Sequence, residues 1–100
     1  MRKVLTLQKV LKEEFKDPEF RFYFERARAV QEIGWMVRKA RKKVKLTQME
    51  LAHHAKTTQE VISRMESGED IRIPSLELLE RVAHALGAKL LISFEYDVAA

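Results

Sequence analysis

"LTQMELAHHAKTTQEVISRMESGE", residues 46–69, reads as two short helices folded around a tight corner, and the fold turns on how the second of them is used. Thr47 suits a helix N-cap, and Glu50, three residues on, completes a capping box in which side chain and backbone satisfy each other's free groups. Leu46 and Leu51 stand at the spacing of a hydrophobic staple. Met49, Ala52 and Ala55 are expected to form the inner face of this first helix, the small residues letting a neighbour approach closely. "KTT" (56–58) makes the corner. Thr58 then caps a second helix over 59–66, with Val61, Ile62 and Met65 directed to a core and Gly68 placed to take the left-handed conformation common at helix C-termini. Its remaining positions are polar, and face either solvent or a base pair.

Upstream, Leu7, Leu11 and Phe15 recur every four residues, with Val4 and Val10 beside them, and predict a first amphipathic helix. "FKDPEF" (15–20) stops and restarts the chain: Asp17 can accept from free amides at a helix start, and Pro18 suits the first helical position because its missing N–H costs nothing there. Phe20, Tyr23, Ala27, Val30, Ile33 and Val37 then step by three or four, so this helix either runs on to about Lys43 or breaks near Gly34. Downstream, Pro74 and Ser75 introduce a helix with Leu76, Leu79, Val82, Ala83 and Leu86 inward, ended by Gly87. After it the period changes: Leu90, Ile92, Phe94 and Tyr96 alternate with Leu91, Ser93, Glu95 and Asp97, the two-residue repeat of a half-buried strand. A lone strand leaves its backbone donors and acceptors without partners, so it is expected to pair with another chain, most simply its own copy across a two-fold axis. The expected fold is therefore all-α, four to five helices with one C-terminal dimerisation strand carried by Leu90, Ile92, Phe94 and Tyr96.

The chain has 100 residues, 46% of them hydrophobic, enough for one compact domain with an arm. It contains no cysteine, which removes disulfides, thiolate metal sites and a catalytic thiol. Charged residues interrupt "MRKVLTLQKVLKEEF" before signal-peptide length, and no apolar run of about 18 residues exists to span a membrane, so a cytoplasmic location is expected. The net charge of +4 is unevenly spread: residues 34–64 carry 8 Lys/Arg against 2 Asp/Glu, whereas residues 65–100 carry 3 against 7. A charge run by itself is ordinarily a solvated face; here it coincides with the opening motif, and double-stranded nucleic acid becomes the natural partner.

The order "LTQ..LA", "TTQ..IS..E.G" and "PSL..L..(V)A.ALG", over roughly residues 33–90, resembles the helix-turn-helix family of the phage repressors and Xre-type regulators, with Val82 in place of the usual Ile. The resemblance implies that the helix after Thr58 lies in a DNA major groove, with Gln59, Glu60, Ser63 and Arg64 on its reading face. Gln59 can pair bidentately with adenine, Arg64 with guanine, and Glu60 either accepts from cytosine or serves only the helix dipole. Thr57, Thr58 and Ser67 are placed for backbone phosphates, and Gln48 resembles a family glutamine that contacts phosphate. Arg41 and Glu66 occupy positions that form a structural ion pair in the phage repressors. Two such units about 34 Å apart, related by a two-fold axis, read successive major-groove faces, so a strand-built dimer suits a palindromic operator.

The arm suggests a narrower relative. "FKDPEFRFYFERARA" ahead of an Xre-type domain, with a "KLLISFE" tail, resembles HigA-type antitoxins of bacterial type II toxin–antitoxin pairs. This implies an autorepressor that also neutralises a small mRNA-cleaving toxin of the RelE/HigB class. Phe15, Phe20, Phe22, Tyr23 and Phe24 concentrate the aromatics within ten residues. They form either a satellite core between the first two helices or a partner surface of Phe20, Arg21, Phe22 and Phe24, with Arg28 nearby. The expected organisation is a helical arm over 1–32, a DNA-binding domain over 33–88 and a strand and tail over 89–100.

Enzymatic readings find little support. His53 and His54 are neighbours that point about 100° apart on a helix and cannot share a metal, and His84 is distant in sequence. Glu13 and Glu14, like Glu69 and Asp70, are adjacent carboxylates with no accompanying nucleophile, and no glycine-rich phosphate loop appears. Neither a metal nor another cofactor is expected. Trp35 is expected to anchor the core where arm and domain meet, the alternative being a partner contact. Besides the antitoxin, two alternatives stand: a free-standing Xre-type regulator without a toxin, and a protein-interaction module that no longer reads DNA, for which Glu60 and the acidic tail region speak.

Overall fold

Asp17 and Pro18 start the element that organises the molecule. In the computed structural model, which describes residues 6–69 and 72–96, Asp17 accepts from the Glu19 N–H at 2.9 Å, and α2 then runs without a break over Pro18–Lys43. At 26 residues it is about 39 Å long. Before it, α1 spans Leu7–Glu14 behind a Thr6 cap; after it come α3 (Gln48–His54), α4 (Gln59–Ser67) and α5 (Leu76–Ala85). The Thr47–Glu50 capping box is complete in both directions at 3.0 Å, and Thr58 and Ser75 cap α4 and α5 by accepting from the N–H groups of Val61 and Leu78. The all-helical domain foreseen from the sequence is thus the observed one.

Four helices share the core. Val37 of α2, Leu51, Ala52 and Ala55 at α3, Ile62 and Met65 of α4, and Val82 of α5 are buried together, with Ile33, Leu78, Ala85 and Leu86 against them. Gly34 does not break α2. It is buried because α4 crosses there: a Cβ on it would lie inside contact distance of the Met65 carbonyl oxygen and 3.1 Å from that of Glu66. Glycine lets two backbones meet at this crossing.

Several residues expected inside are outside, each for a geometric reason. Met49 is 65% exposed because it lies roughly 160° around α3 from Leu51. Leu76, in the first turn of α5, sits about 120° from Val82 and is also exposed. Trp35 is 61% exposed and is no core anchor: it lies nearly opposite Val37 on α2, with the Lys39 ammonium 4.6 Å from its ring centre. Tyr23 shares the azimuth of Val30 but is 54% exposed, its ring edge-on to that of Phe22 with centroids 5.5 Å apart. Val4 and Asp70 lie outside the described residues.

In the arm, Phe15 packs edge-on against Phe20 and Phe24 with centroids 5.6 and 4.8 Å away, closing α1 onto the start of α2. Phe22 faces away and is exposed. The proposed boundary between residues 32 and 33 therefore falls inside an uninterrupted helix. The expected strand does not form within the chain: residues 88–96 join no ladder, because among the described residues no other segment is extended enough to pair with them. Leu91, Ile92, Phe94 and Tyr96 are left exposed, and Leu90 half-buried.

Candidate nucleic-acid interface

The site begins at the corner. Ala55 closes α3, the Thr57 N–H returns to the Ala52 carbonyl at 2.9 Å, and Lys56 makes the reversal with a positive φ of 56°. Because this turn fixes α4 against α3, the rear of α4 is sealed: Ile62 is fully buried and Met65 nearly so. Its front carries Gln59, Glu60, Ser63, Arg64 and Ser67, all exposed, and nothing among the described residues covers them. Polar side chains on a helix held only from behind are free to address a groove.

Individual residues divide by what they already bond. Thr58 Oγ1 accepts from the Val61 N–H at 3.2 Å, which leaves its hydroxyl proton to donate outward. Ser67 donates to the Arg64 carbonyl at 2.8 Å and accepts from the Glu69 N–H at 3.3 Å, so it caps the end of α4 together with Gly68, whose φ is 67°. Thr57 is half-buried at the turn. Glu60 stands in the first turn of α4, where a carboxylate interacts favourably with the helix dipole.

One flank of this exposed face is a hydrogen-bonded node. Arg41 Nε and Nη2 grip the Glu66 carboxylate at 2.7 and 2.9 Å, and Nη1 donates to the Leu46 carbonyl at 2.8 Å. Gln48 Nε2 adds a bond to Glu66 Oε1 at 3.2 Å. The Arg41 and Glu66 side chains are only 12% and 4% exposed. The Glu66 hydrogen bonds hold the Arg41 guanidinium above its already high ordinary pKa, against the opposing effect of burial. Three elements, α2, the start of α3 and the end of α4, are tied at this point. Gln48 spends one amide hydrogen here and retains a second.

Sequence reasoning missed three supports of the site. The Gln48–Glu66 bond and the Gly34 crossing depend on neighbours remote in sequence. Arg81 was passed over altogether; it donates from Nε to the Ala55 carbonyl at 3.0 Å and from Nη1 to Glu77 at 3.0 Å, tying α5 to the end of α3. A half-apolar helix with one arginine on its inner border is the only signal that pointed to it. The partner candidates of the arm are split by the fold: Phe20 and Phe24 turn toward Phe15, while Arg21 and Phe22 are exposed and Arg28 pairs with Glu32 at 3.1 Å.

Among the described residues no three His, Asp or Glu side chains stand together as metal ligands, and no helix is long and apolar enough to cross a membrane. Residues 37–92, over half of the chain, match the family profile described as Helix-turn-helix (HTH_3). No curated protein and no solved structure gives a match. The matched segment begins inside α2 and contains α3, α4 and α5. The chain belongs to the helix-turn-helix family of the Xre and phage-repressor type, DNA-binding regulators of transcription.

Proposed function

We propose that the protein is a sequence-specific repressor that binds a palindromic operator as a homodimer, reading bases with Gln59, Ser63 and Arg64 of α4. The observation that carries this reading is the two-sided character of α4: its rear is locked into the core through Ile62 and Met65, and its front is an uncovered row of side chains able to form bidentate bonds to base edges. Gln48, Thr57 and Thr58 hold backbone phosphates and set the register, and Ser67 joins them by turning its hydroxyl from the Arg64 carbonyl. Glu60 acts on the helix dipole or on a cytosine amino group.

The test is a competition between the operator and scrambled duplexes. Gln59→Ala and Arg64→Ala are each expected to cost about 1–3 kcal/mol on the operator and to flatten preference at one base pair. Gln48→Ala is expected to weaken all duplexes alike. Unchanged sequence preference in both recognition-helix variants would overturn the base-reading assignment.

The finer reading is that the repressor is also the antitoxin of a small RelE/HigB-like toxin and represses its own operon. Its support is the HigA-like sequence of the arm, which lies outside residues 37–92, and the exposed Phe22 between Arg21 and Tyr23. Expression of the neighbouring small open reading frame, alone and with this protein, tests it. Growth arrest relieved by co-expression, with a stable complex, supports the antitoxin. A harmless neighbour that does not associate leaves a free-standing regulator.

A further inference from the structure

The charge of α2 changes character along its length. Over residues 18–32, three glutamates (19, 25, 32) are matched by three arginines (21, 26, 28), with Arg21–Glu25 and Arg28–Glu32 at i, i+4 spacing. Beyond Glu32 no acidic residue occurs until Glu50, and six of the eight residues 38–45 are basic. A helix that needed only solubility would keep its counter-charges. Of the six, Arg41 is committed to Glu66 and Leu46, and Lys39 lies over Trp35. Lys43 is exposed on another side of the helix, about 100° round from Lys42. Arg38, Lys42 and Lys45 are exposed, and none has an ion-pair partner among the described residues.

These three are aligned. Lys42 follows Arg38 by four residues, and Lys45 continues the row where the helix ends, its N–H bonded to the Lys42 carbonyl at 3.1 Å and its φ at 60°. The row borders Arg41, and through Arg41 it is fixed beside Glu66 and Gln48. On α4, Glu66 follows Ser63 by three residues and Ser63 follows Gln59 by four, so the three lie along one side of that helix. The basic row therefore flanks the edge of the recognition helix that carries Gln59 and Ser63. Downstream of α4 the balance of charge reverses, residues 65–100 carrying 3 Lys/Arg against 7 Asp/Glu.

From this placement we propose that Arg38, Lys42 and Lys45 form a phosphate-binding ridge that grips the DNA backbone beside the half-site read by α4, so that the electrostatic anchorage of the complex is one-sided. The partner is duplex DNA: the ridge is continuous with the reading face, and the exposed ring one turn before Arg38, Trp35, is already taken by the Lys39 ammonium. The ridge rests on the DNA-binding reading above. It contributes affinity and salt dependence without base preference, because phosphates are the same at every step.

The test compares R38Q/K42Q/K45Q with a control that removes equal charge from the arm, K9Q/K12Q/K16Q. Each is titrated with a duplex selected by the wild-type protein from a random pool and with an unrelated duplex of equal length, over a range of salt. All six positions are exposed, and circular dichroism checks that both variants stay folded. Each lost phosphate contact lowers the slope of log affinity against log salt by about 0.9, so the ridge variant is expected to lose roughly 2–3 in slope and to weaken both duplexes by the same factor. The arm control is expected to keep the wild-type slope. A wild-type slope in the ridge variant, an equal loss in the arm control, or a loss confined to the selected duplex overturns the ridge; the first of these, together with lost binding to an acidic protein, would reassign the row to that partner. Failure of the wild-type protein to bind either duplex would instead remove the DNA reading on which the ridge depends.

Discussion

Arg41→Ala would strip two charge-assisted bonds from a carboxylate that is almost wholly buried and leave it, among the described residues, with Gln48 as its side-chain partner. An uncompensated buried charge is expensive, and the loss is expected to be about 3–5 kcal/mol in urea unfolding. A midpoint and slope equal to those of the wild type would show the pair to be energetically idle. Glu50 supplies a pH-dependent counterpart. The hydrogen bond from the Thr47 backbone N–H, followed by that with the Thr47 side chain, holds its carboxyl below the usual glutamate range. With the folded value depressed, its stabilisation is complete above the unfolded pKa and is lost as the pH falls through the folded one. Glu50→Gln keeps an oxygen for the cap and removes the titration. The two proteins are expected to differ in melting temperature near neutral pH and to converge in acid, and parallel curves throughout would exclude the mechanism. The caps were legible at this scale because they depend on residues three apart. The exposure of Met49, Trp35 and Leu76 was not, since apolar character marks a residue that burial would favour without fixing which way its helix is turned.

Between α2 and α4 the decisive feature is an absence of side chain. Gly34→Ala in an isolated helix would be favourable by about 1 kcal/mol. Here the new methyl meets the carbonyls of Met65 and Glu66, backbone atoms that cannot swing aside, so the variant is expected to be less stable by about 1–3 kcal/mol. Thermal melting checks the sign: a gain would mean that the two helices are free to move apart. The sequence offered Gly34 as a possible break in α2, because a helix-interior glycine weakens local structure and its tertiary purpose is set by residues some thirty positions away. The extents of α3 and α4 were read closely, since Thr47, Thr58 and Gly68 mark their ends locally. The Arg41–Glu66 pairing was foreseen only through the family resemblance; nothing in the spacing of 25 residues dictates it.

On the scale of the whole molecule, 59 Å in its longest dimension, two apolar regions among the described residues stand exposed. One is the segment ending at Tyr96, where Leu91, Phe94 and Tyr96 are each more than 80% exposed. Alternation made the strand readable, but a strand is a property of a pair, and one chain supplies only half of it. If two copies complete it, Phe94→Glu places like charges opposite or diagonal to one another and is expected to shift sedimentation from dimer to monomer, with operator affinity falling alongside. A variant that sediments as the wild type would exclude this segment from the interface. The other region is the arm, whose Phe22 faces outward at the far end of the helix that also carries Gly34, Arg41 and the basic row.

That shared helix has a thermodynamic corollary. Because α2 is one continuous rod, anything that grips its first turns and alters its setting also alters the footing of α4. The coupling runs equally in both directions. A partner that lowers operator affinity by some factor must itself be held less tightly, by that factor, when the operator is occupied. DNA would then meter the partner as the partner meters DNA, with no hinge or loop to relay the message.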